Sequence, residues 1–216
     1  MNNWNFAELN KLCEEKGINN VKIYQNSLHW RWLRADYHAK TAAKIWEDLF
    51  NKEHVALGDQ SFFDATFSYE AQVESCIQSL HSLGDILSQI INVLVLQNKY
   101  SEHDVSIKKV IDTMEKQNIA SEINKSTRNL LNDNSFNYIG AFCNTIKHRR
   151  LLHTDFRTEW GENARNESGL RFEEFEFKGA TYPQTWCSDI LEKYRFQIFS
   201  LINEIGFNIN KYIAAI

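Results

Sequence analysis

The chain has 216 residues, of which 43% are hydrophobic and 13% aromatic, and its formal net charge is −4 at pH 7. This is enough apolar material for a sizeable core without disulfide bonds. The small net charge excludes a basic field over the whole protein, so any nucleic-acid site must be a local patch. The four cysteines lie far apart and form no Cys-x-x-Cys pair, which is typical of isolated thiols.

The N-terminal residues lack a basic region followed by an apolar run, so we expect no signal peptide. The longest apolar stretch, around residues 90–96, is too short to span a bilayer and contains Asn92. We therefore expect a cytoplasmic protein that does not associate with membranes.

Helix breakers are rare, with a single proline and eight glycines, and such a sequence favours long helices. Residues 1–25 predict a lead-in helix followed by a short extended piece at 21–24. Ser27 is a candidate N-cap for the first long helix. Apolar residues at helical spacing predict helices over about 27–51, 62–97, 104–116, 121–131, 135–151 and 184–213.

The pattern changes over residues 153–183, before the last helix. Apolar and polar residues alternate from 170 to 177, and glycines and Asn163 interrupt the pattern, which predicts a β-hairpin or arm. The expected fold class is mainly α: an up-and-down helical bundle with long helices, forming one domain over 1–216, with the β-arm inserted before the C-terminal helix.

A polar stripe runs along the long helix predicted at 62–97, within an arc of about 100°. Its members are Glu70, Glu74, Gln78, His81, Asp85, Ser88, Gln89 and Asn92. The stripe is either an ordinary solvent-facing side or, because it contains no Lys or Arg, a semi-buried hydrogen-bonded network. His81 and Asp85 are one turn apart, so the carboxylate could orient the imidazole.

The best candidate for a functional site is the segment from Asn144 to His153. On a helix, Asn144 and His148 project within about 40° of one another. A basic cluster accompanies them, formed by Lys147, His148, Arg149, Arg150 and His153. These charges either complement the negative end of the helix dipole or form a phosphodiester site. In such a site the cations hold the phosphate, His148 moves protons and Asn144 orients the histidine or binds the phosphate.

The run Cys143-Asn144-Thr145-Ile146-Lys147-His148 resembles the motif of HEPN domains. These are small helical bundles, often dimeric, with an Arg-x4–6-His motif that frequently reads Arg-Asn-x3-His. Asn144 and His148 occupy the polar and histidine positions of that motif, and Cys143 occupies the arginine position. The resemblance covers roughly residues 60–155 and the last helix.

The resemblance implies a metal-independent ribonuclease or RNA-binding domain, without a cofactor, from a toxin–antitoxin or antiviral system. Two motifs would meet across a homodimer, the RNA 2′-hydroxyl would be the nucleophile, and His148 would be the general acid–base with Asn144 beside it. The residues expected to bind RNA or a nucleotide are Lys147, Arg149, Arg150 and His153, with His81 and Asp85 in support. An antitoxin is an expected partner. Arg149 or Arg150 would replace the missing arginine, or the domain would be an inactive relative.

Two other functions stay open. A metal-dependent helical-bundle hydrolase would use the hard and borderline ligands of the stripe, although the Glu-x-x-His repeat of di-metal bundles is missing. Those ligands would be Glu70, Glu74, His81 and Asp85. A non-catalytic dimeric interaction protein would instead use the aromatic residues of the arm, although such residues more often pack on their own domain. They are Phe172, Phe175 and Phe177, together with Trp160 and Trp186, which we expect to be exposed.

Overall fold

The computed structural model of the chain describes residues 4–50, 58–161 and 167–216. The fold is mainly α, as predicted, with a small antiparallel β region before the C-terminal helix. The helices are α1 (Phe6–Glu15), α2 (Val21–Phe50), α3 (Gln60–Leu94), α4 (Ile107–Gln117), α5 (Ser121–Asn132), α6 (Asn134–His148), α7 (Cys187–Asp189) and α8 (Arg195–Ala215). A π-helical turn, Ile190–Tyr194, connects α7 to α8.

The predicted β-arm is confirmed as two small antiparallel sheets. The strands are β1 (Thr154–Glu159), β2 (Glu167–Phe172), β3 (Phe175–Phe177), β4 (Ala180–Tyr182) and β5 (Thr185–Trp186). One sheet has the order β1-β2-β5, and β3 pairs with β4. The alternating run 170–177 is therefore not one strand, because β2 ends at Phe172, β3 begins at Phe175, and the two pair with different strands. The predicted interruption at Asn163 lies outside the described residues.

Helix α2 begins earlier than the sequence pattern predicts, so the extended piece at 21–24 and the cap at Ser27 are wrong. Val21, Gln25 and Leu28 are all buried and are spaced by about one turn each, so the buried side of the helix already starts at Val21. The Ser27 hydroxyl donates to Ile23 O at 2.8 Å, a bond made inside the helix. The predicted helix end at residue 51 lies outside the described residues.

Two other helices end before their predicted last residues. Helix α3 ends at Leu94, and Gln97 and Asn98 then adopt positive φ angles of 53° and 58°. Helix α6 ends at His148 rather than at residue 151, and the N–H groups of both Arg149 and Arg150 donate to Thr145 O. The basic cluster therefore spans the end of a helix and the extended chain after it.

The described residues group into two compact units. Unit 1 contains residues 4–32, 80–137 and 196–216, and unit 2 contains 33–50, 58–79, 138–161 and 167–195. In unit 1 the buried core includes Leu83, Ile90, Ile111, Met114 and Ile205. In unit 2 it includes Cys76, Ile77, Phe142, Phe172 and Cys187. That residues 1–216 form a single domain stays a prediction.

Most aromatic residues of the arm pack inside unit 2. The Phe172 ring centroid lies 4.7 Å from that of Phe142, and the Phe175 ring stacks on Tyr182 at 5.1 Å. Trp186 is 6% exposed, so its expected exposure is wrong, because it packs over Gly169 of β2. Trp160, in contrast, is 70% exposed.

Candidate functional site

The basic cluster lies at the C-terminal end of α6, in unit 2. We call it the α6-end cluster, and its members are Lys147, His148, Arg149, Arg150 and His153. All five side chains are exposed. His148 is the last residue of the helix, where the apolar periodicity that buries Phe142 has ended. A cluster of this kind is open to a ligand from solvent.

Phe177 of β3 contributes an aromatic ring to this surface. The Arg149 guanidinium carbon lies 5.1 Å from the centroid of the Phe177 ring, and Lys178 Nζ lies 5.2 Å from it. Both distances are within the range of cation–π attraction. Phe177 and Lys178 could not be assigned to this surface from the sequence, because nothing local to the motif indicates that β3 packs beside it.

Glu173 connects the cluster to the end of β2. Its carboxylate accepts from the backbone N–H of His153 at 2.8 Å and from Arg150 Nη1 at 2.6 Å. These hydrogen bonds, that of His153 first, hold the pKa of Glu173 below its ordinary value. Arg150 is thereby partly neutralised, whereas no ion pair joins Lys147 or Arg149 to an acidic side chain in the described part of the chain.

The HEPN-like motif residues that precede the cluster face inward or bond within the helix. Asn144 is half-buried, and its Nδ2 donates to Gly140 O at 2.7 Å. Cys143 is 0% exposed, and burial raises the pKa of its thiol to about 12. The position that carries arginine in the family thus lies in the core of unit 2, and only His148 of the three motif residues is exposed.

An open cavity of about 420 Å³ lies beside the cluster. Its lining residues are Thr145, Arg149, Arg150, Glu174, Phe175 and Glu176. Thr145 Oγ1 is buried without a hydrogen-bond partner, although hydroxyl groups in protein interiors are normally paired. The two arginines and this hydroxyl offer donors to an oxygen-rich ligand, while Glu174 and Glu176 restrict the approach of anions.

Two acidic residues of the polar stripe on α3, Glu70 and Glu74, lie in unit 2. Glu70 Oε2 accepts from Thr154 Oγ1 at 2.5 Å, next to His153 in sequence. Glu74 is half-buried, and burial together with the charge of Glu70 raises the pKa of its carboxyl group. The role of Thr154 could not be predicted from the sequence, because no distinctive spacing marks its hydroxyl.

In unit 1 the stripe is partly a hydrogen-bonded network, as one of the two interpretations predicted. Asn92 Nδ2 donates to Tyr100 O at 2.9 Å, and Asn92 Oδ1 accepts from the backbone N–H of Tyr100 at 3.2 Å. Gln89 Nε2 donates to Glu102 O at 2.8 Å. These side chains fix the segment after α3. His81 is half-buried and Asp85 is exposed, and their supporting role stays a prediction.

Within the described residues, no three His, Cys, Asp or Glu side chains are grouped so that they could hold a metal ion. The acidic stripe therefore gives the metal-dependent alternative no further support. Among the described helices, none combines the length and the apolar character needed to cross a membrane.

Comparison of the chain with known protein families, with curated proteins and with solved structures found no match. The HEPN resemblance therefore rests on this sequence alone, chiefly on the motif residues of α6.

Proposed function

We propose that this protein is a HEPN-like domain that binds single-stranded RNA through the α6-end cluster, without a metal or other cofactor. The observation that supports this most directly is the position of the Arg149 guanidinium over the Phe177 ring, beside the exposed Lys147 and His148. We also propose that the protein cleaves RNA only slowly.

The chemistry of the cluster suits unpaired RNA better than a duplex. Lys147 and Arg149 can contact successive phosphates. The planar Arg149–Phe177 pair offers a face on which an unstacked base can lie, as aromatic and guanidinium groups do in single-strand recognition. A local site of this kind agrees with a chain whose net charge is −4.

We expect slow RNA cleavage because two of the three motif residues are not exposed. Cys143 cannot bind a phosphate from the core, and the Asn144 amide nitrogen is committed to Gly140 O. His148 remains as the one proton-transfer group of the motif, and the RNA 2′-hydroxyl would be the nucleophile. We propose in addition that a homodimer brings two copies of His148 together and that an antitoxin covers the cluster.

Binding is tested by fluorescence anisotropy with a labelled single-stranded RNA oligonucleotide. We expect Arg149→Ala to weaken binding about tenfold, the loss of one phosphate and stacking contact. Lys147→Ala should reduce the slope of log Kd against log salt by about 0.7. The matched control is Lys211→Ala, because Lys211 Nζ also lies over a phenylalanine ring, 4.4 Å from the centroid of Phe207. Equal loss in the control, or tighter binding to a mononucleotide than to the oligonucleotide, would contradict the proposal.

Cleavage is tested on the same RNA with and without a chelator. We expect slow cleavage that is insensitive to chelator, absent in His148→Ala and unchanged in His103→Ala, since His103 is an exposed histidine elsewhere. An RNA with 2′-O-methyl groups should bind and not be cleaved. Cleavage that disappears with the chelator would favour the metal-dependent hydrolase instead.

A second candidate is a non-catalytic dimeric interaction protein. Phe63 and Phe67 of α3 are 61% and 65% exposed, and their rings stack at 6.2 Å. Exposed apolar surface of this kind favours contact with another protein surface, and a second copy of the chain is the simplest occupant. Light scattering should then show a dimer that Phe63→Ser with Phe67→Ser converts to a monomer, in a protein that does not bind RNA.

A further inference from the structure

A second cavity in unit 2 has a volume of about 380 Å³ and shares no lining residue with the one at the α6-end cluster. Its walls come from α2, α3, β2, α7, the π-helical turn and the first residue of α8, and we call it the π-turn cavity. The small side chains of Ala39 and Ala43 leave space there. Tyr69, Leu170 and Leu191 supply buried apolar surface. The volume suits a small organic molecule.

The π-helical turn is fixed in place by Arg195. Arg195 is 8% exposed, its Nε donates to Leu191 O at 2.6 Å, and its Nη1 pairs with Asp36 at 2.6 Å. Lys40 Nζ also pairs with Asp36, at 2.5 Å. Single π-helical turns are rare and occur frequently at functional sites. Both cations of the cavity wall are thus engaged by one carboxylate, which argues against an anionic ligand.

The remaining charged residues of the cavity lining are acidic. Glu47 and Glu192 are exposed, and neither forms an ion pair with a residue in the described ranges. Glu167 accepts a hydrogen bond from the Ser188 hydroxyl at 2.8 Å. All three line the cavity, and negative charge in its wall favours a positively charged ligand.

Two aromatic residues complete the cavity. Trp46 and Tyr69 lie with their ring centroids 5.0 Å apart, and both line it. Tyr69 is 5% exposed, and its hydroxyl forms no hydrogen bond with a described residue. Burial, with smaller contributions from Cys187, Glu167 and Glu192, raises the pKa of Tyr69 above its ordinary value. An indole face beside carboxylates attracts organic cations.

We propose that the π-turn cavity binds a small organic cation, namely a primary amine on a short alkyl chain. The ammonium group lies between the Trp46 indole and the carboxylates of Glu192 and Glu47. The alkyl chain lies against Leu170 and Leu191. This inference is independent of RNA binding, because no residue of the α6-end cluster lines the cavity.

The test is calorimetric titration of the whole chain with butylamine and 1,4-diaminobutane, compared with butanol and butyrate. We expect both amines to bind and butanol and butyrate to bind at least about tenfold more weakly. Glu192→Gln should weaken amine binding about threefold to tenfold. The matched control Glu204→Gln removes an exposed charge outside the cavity and should leave the affinity unchanged.

Ala43→Trp fills the cavity with an indole and should abolish amine binding. Ala43 is exposed at the cavity edge, so the variant should fold; far-UV circular dichroism and the Tm verify this. Ala71→Trp places the same residue at an exposed position of α3 outside the cavity and is the control. Stronger binding of butyrate than of amine would overturn the proposal. So would full amine affinity in a folded Ala43→Trp, or no amine binding at about 10 mM.

Discussion

The carboxylate of Glu173 accepts a hydrogen bond from the backbone N–H of His153 at 2.8 Å, and the backbone N–H of Glu173 donates to His153 O at 3.0 Å. This reciprocal pair holds the chain that leaves α6 against the end of β2. Because Arg150 also bonds to the same carboxylate oxygen, one acidic side chain fixes the geometry of the α6-end cluster.

Glu173→Gln should lower stability at pH 7 by up to about 1 kcal/mol, since the pair is partly exposed to solvent. The pKa of Glu173 is lowered in the folded state, so its contribution is present above the unfolded value near 4.5 and is lost as pH falls through the folded pKa. Urea denaturation between pH 7 and pH 3 measures this difference. Glu174→Gln, at an exposed neighbour, is the control, and a loss that persists at pH 3 would contradict the assigned cause.

Cys143→Arg restores the family motif in sequence, yet it should destabilise the fold by about 3–5 kcal/mol instead of restoring activity. Position 143 is completely buried, and an arginine there would be a cation without a partner in the core. Cys143→Ala should cost only about 1 kcal/mol. Thermal unfolding monitored by circular dichroism compares the three proteins. A Cys143→Arg protein with the wild-type Tm and faster RNA cleavage would show that this position reaches the site.

Glu74→Gln should stabilise the protein at neutral pH. Burial and the neighbouring Glu70 raise the pKa of Glu74 in the folded state, so ionisation of this carboxyl opposes folding. The gain should shrink as pH falls through the raised pKa and vanish below the unfolded value near 4.5, where wild type is protonated in both states. Tm measured from pH 8 to pH 4 gives the result, with Glu176→Gln as an exposed control. A gain that is constant with pH would refute this origin.

Gly206→Ala should destabilise unit 1, although alanine is normally the better helix residue by about 1 kcal/mol. A Cβ atom at position 206 would overlap the ring of Trp4, whose Nε1 donates to Asn210 Oδ1 at 2.9 Å. We expect a loss of about 1–3 kcal/mol from this overpacking. In a Trp4→Ala background the same substitution should be neutral or stabilising. A double-mutant cycle by chemical denaturation checks this, and additive effects would mean that the two residues do not meet.

The order of the long helices was accessible from the sequence because apolar spacing repeats on the scale of one turn. The single last helix predicted over 184–213 is wrong, because the chain there forms β5, α7, the π-helical turn and α8. The start of α2 was missed because the run Val21-Lys-Ile-Tyr contains β-branched residues, which favour strands locally. In the folded chain Val21, Gln25 and Leu28 are buried along one side of a helix, and this burial stabilises the helix over the strand. The division of the arm into β2 and β3 was also missed, since it depends on which other strands each half pairs with.

The mainly α class, the β-arm and the cationic segment from Lys147 to His153 can be predicted from the sequence, because periodicity and composition are local properties of the chain. Only the folded chain places Cys143 in the core, Arg149 over Phe177, and a cavity lined by α2 and β2 beside Arg195. These relationships join residues far apart in the chain. They arise from tertiary packing, which cannot be predicted from a local pattern of residues along the chain.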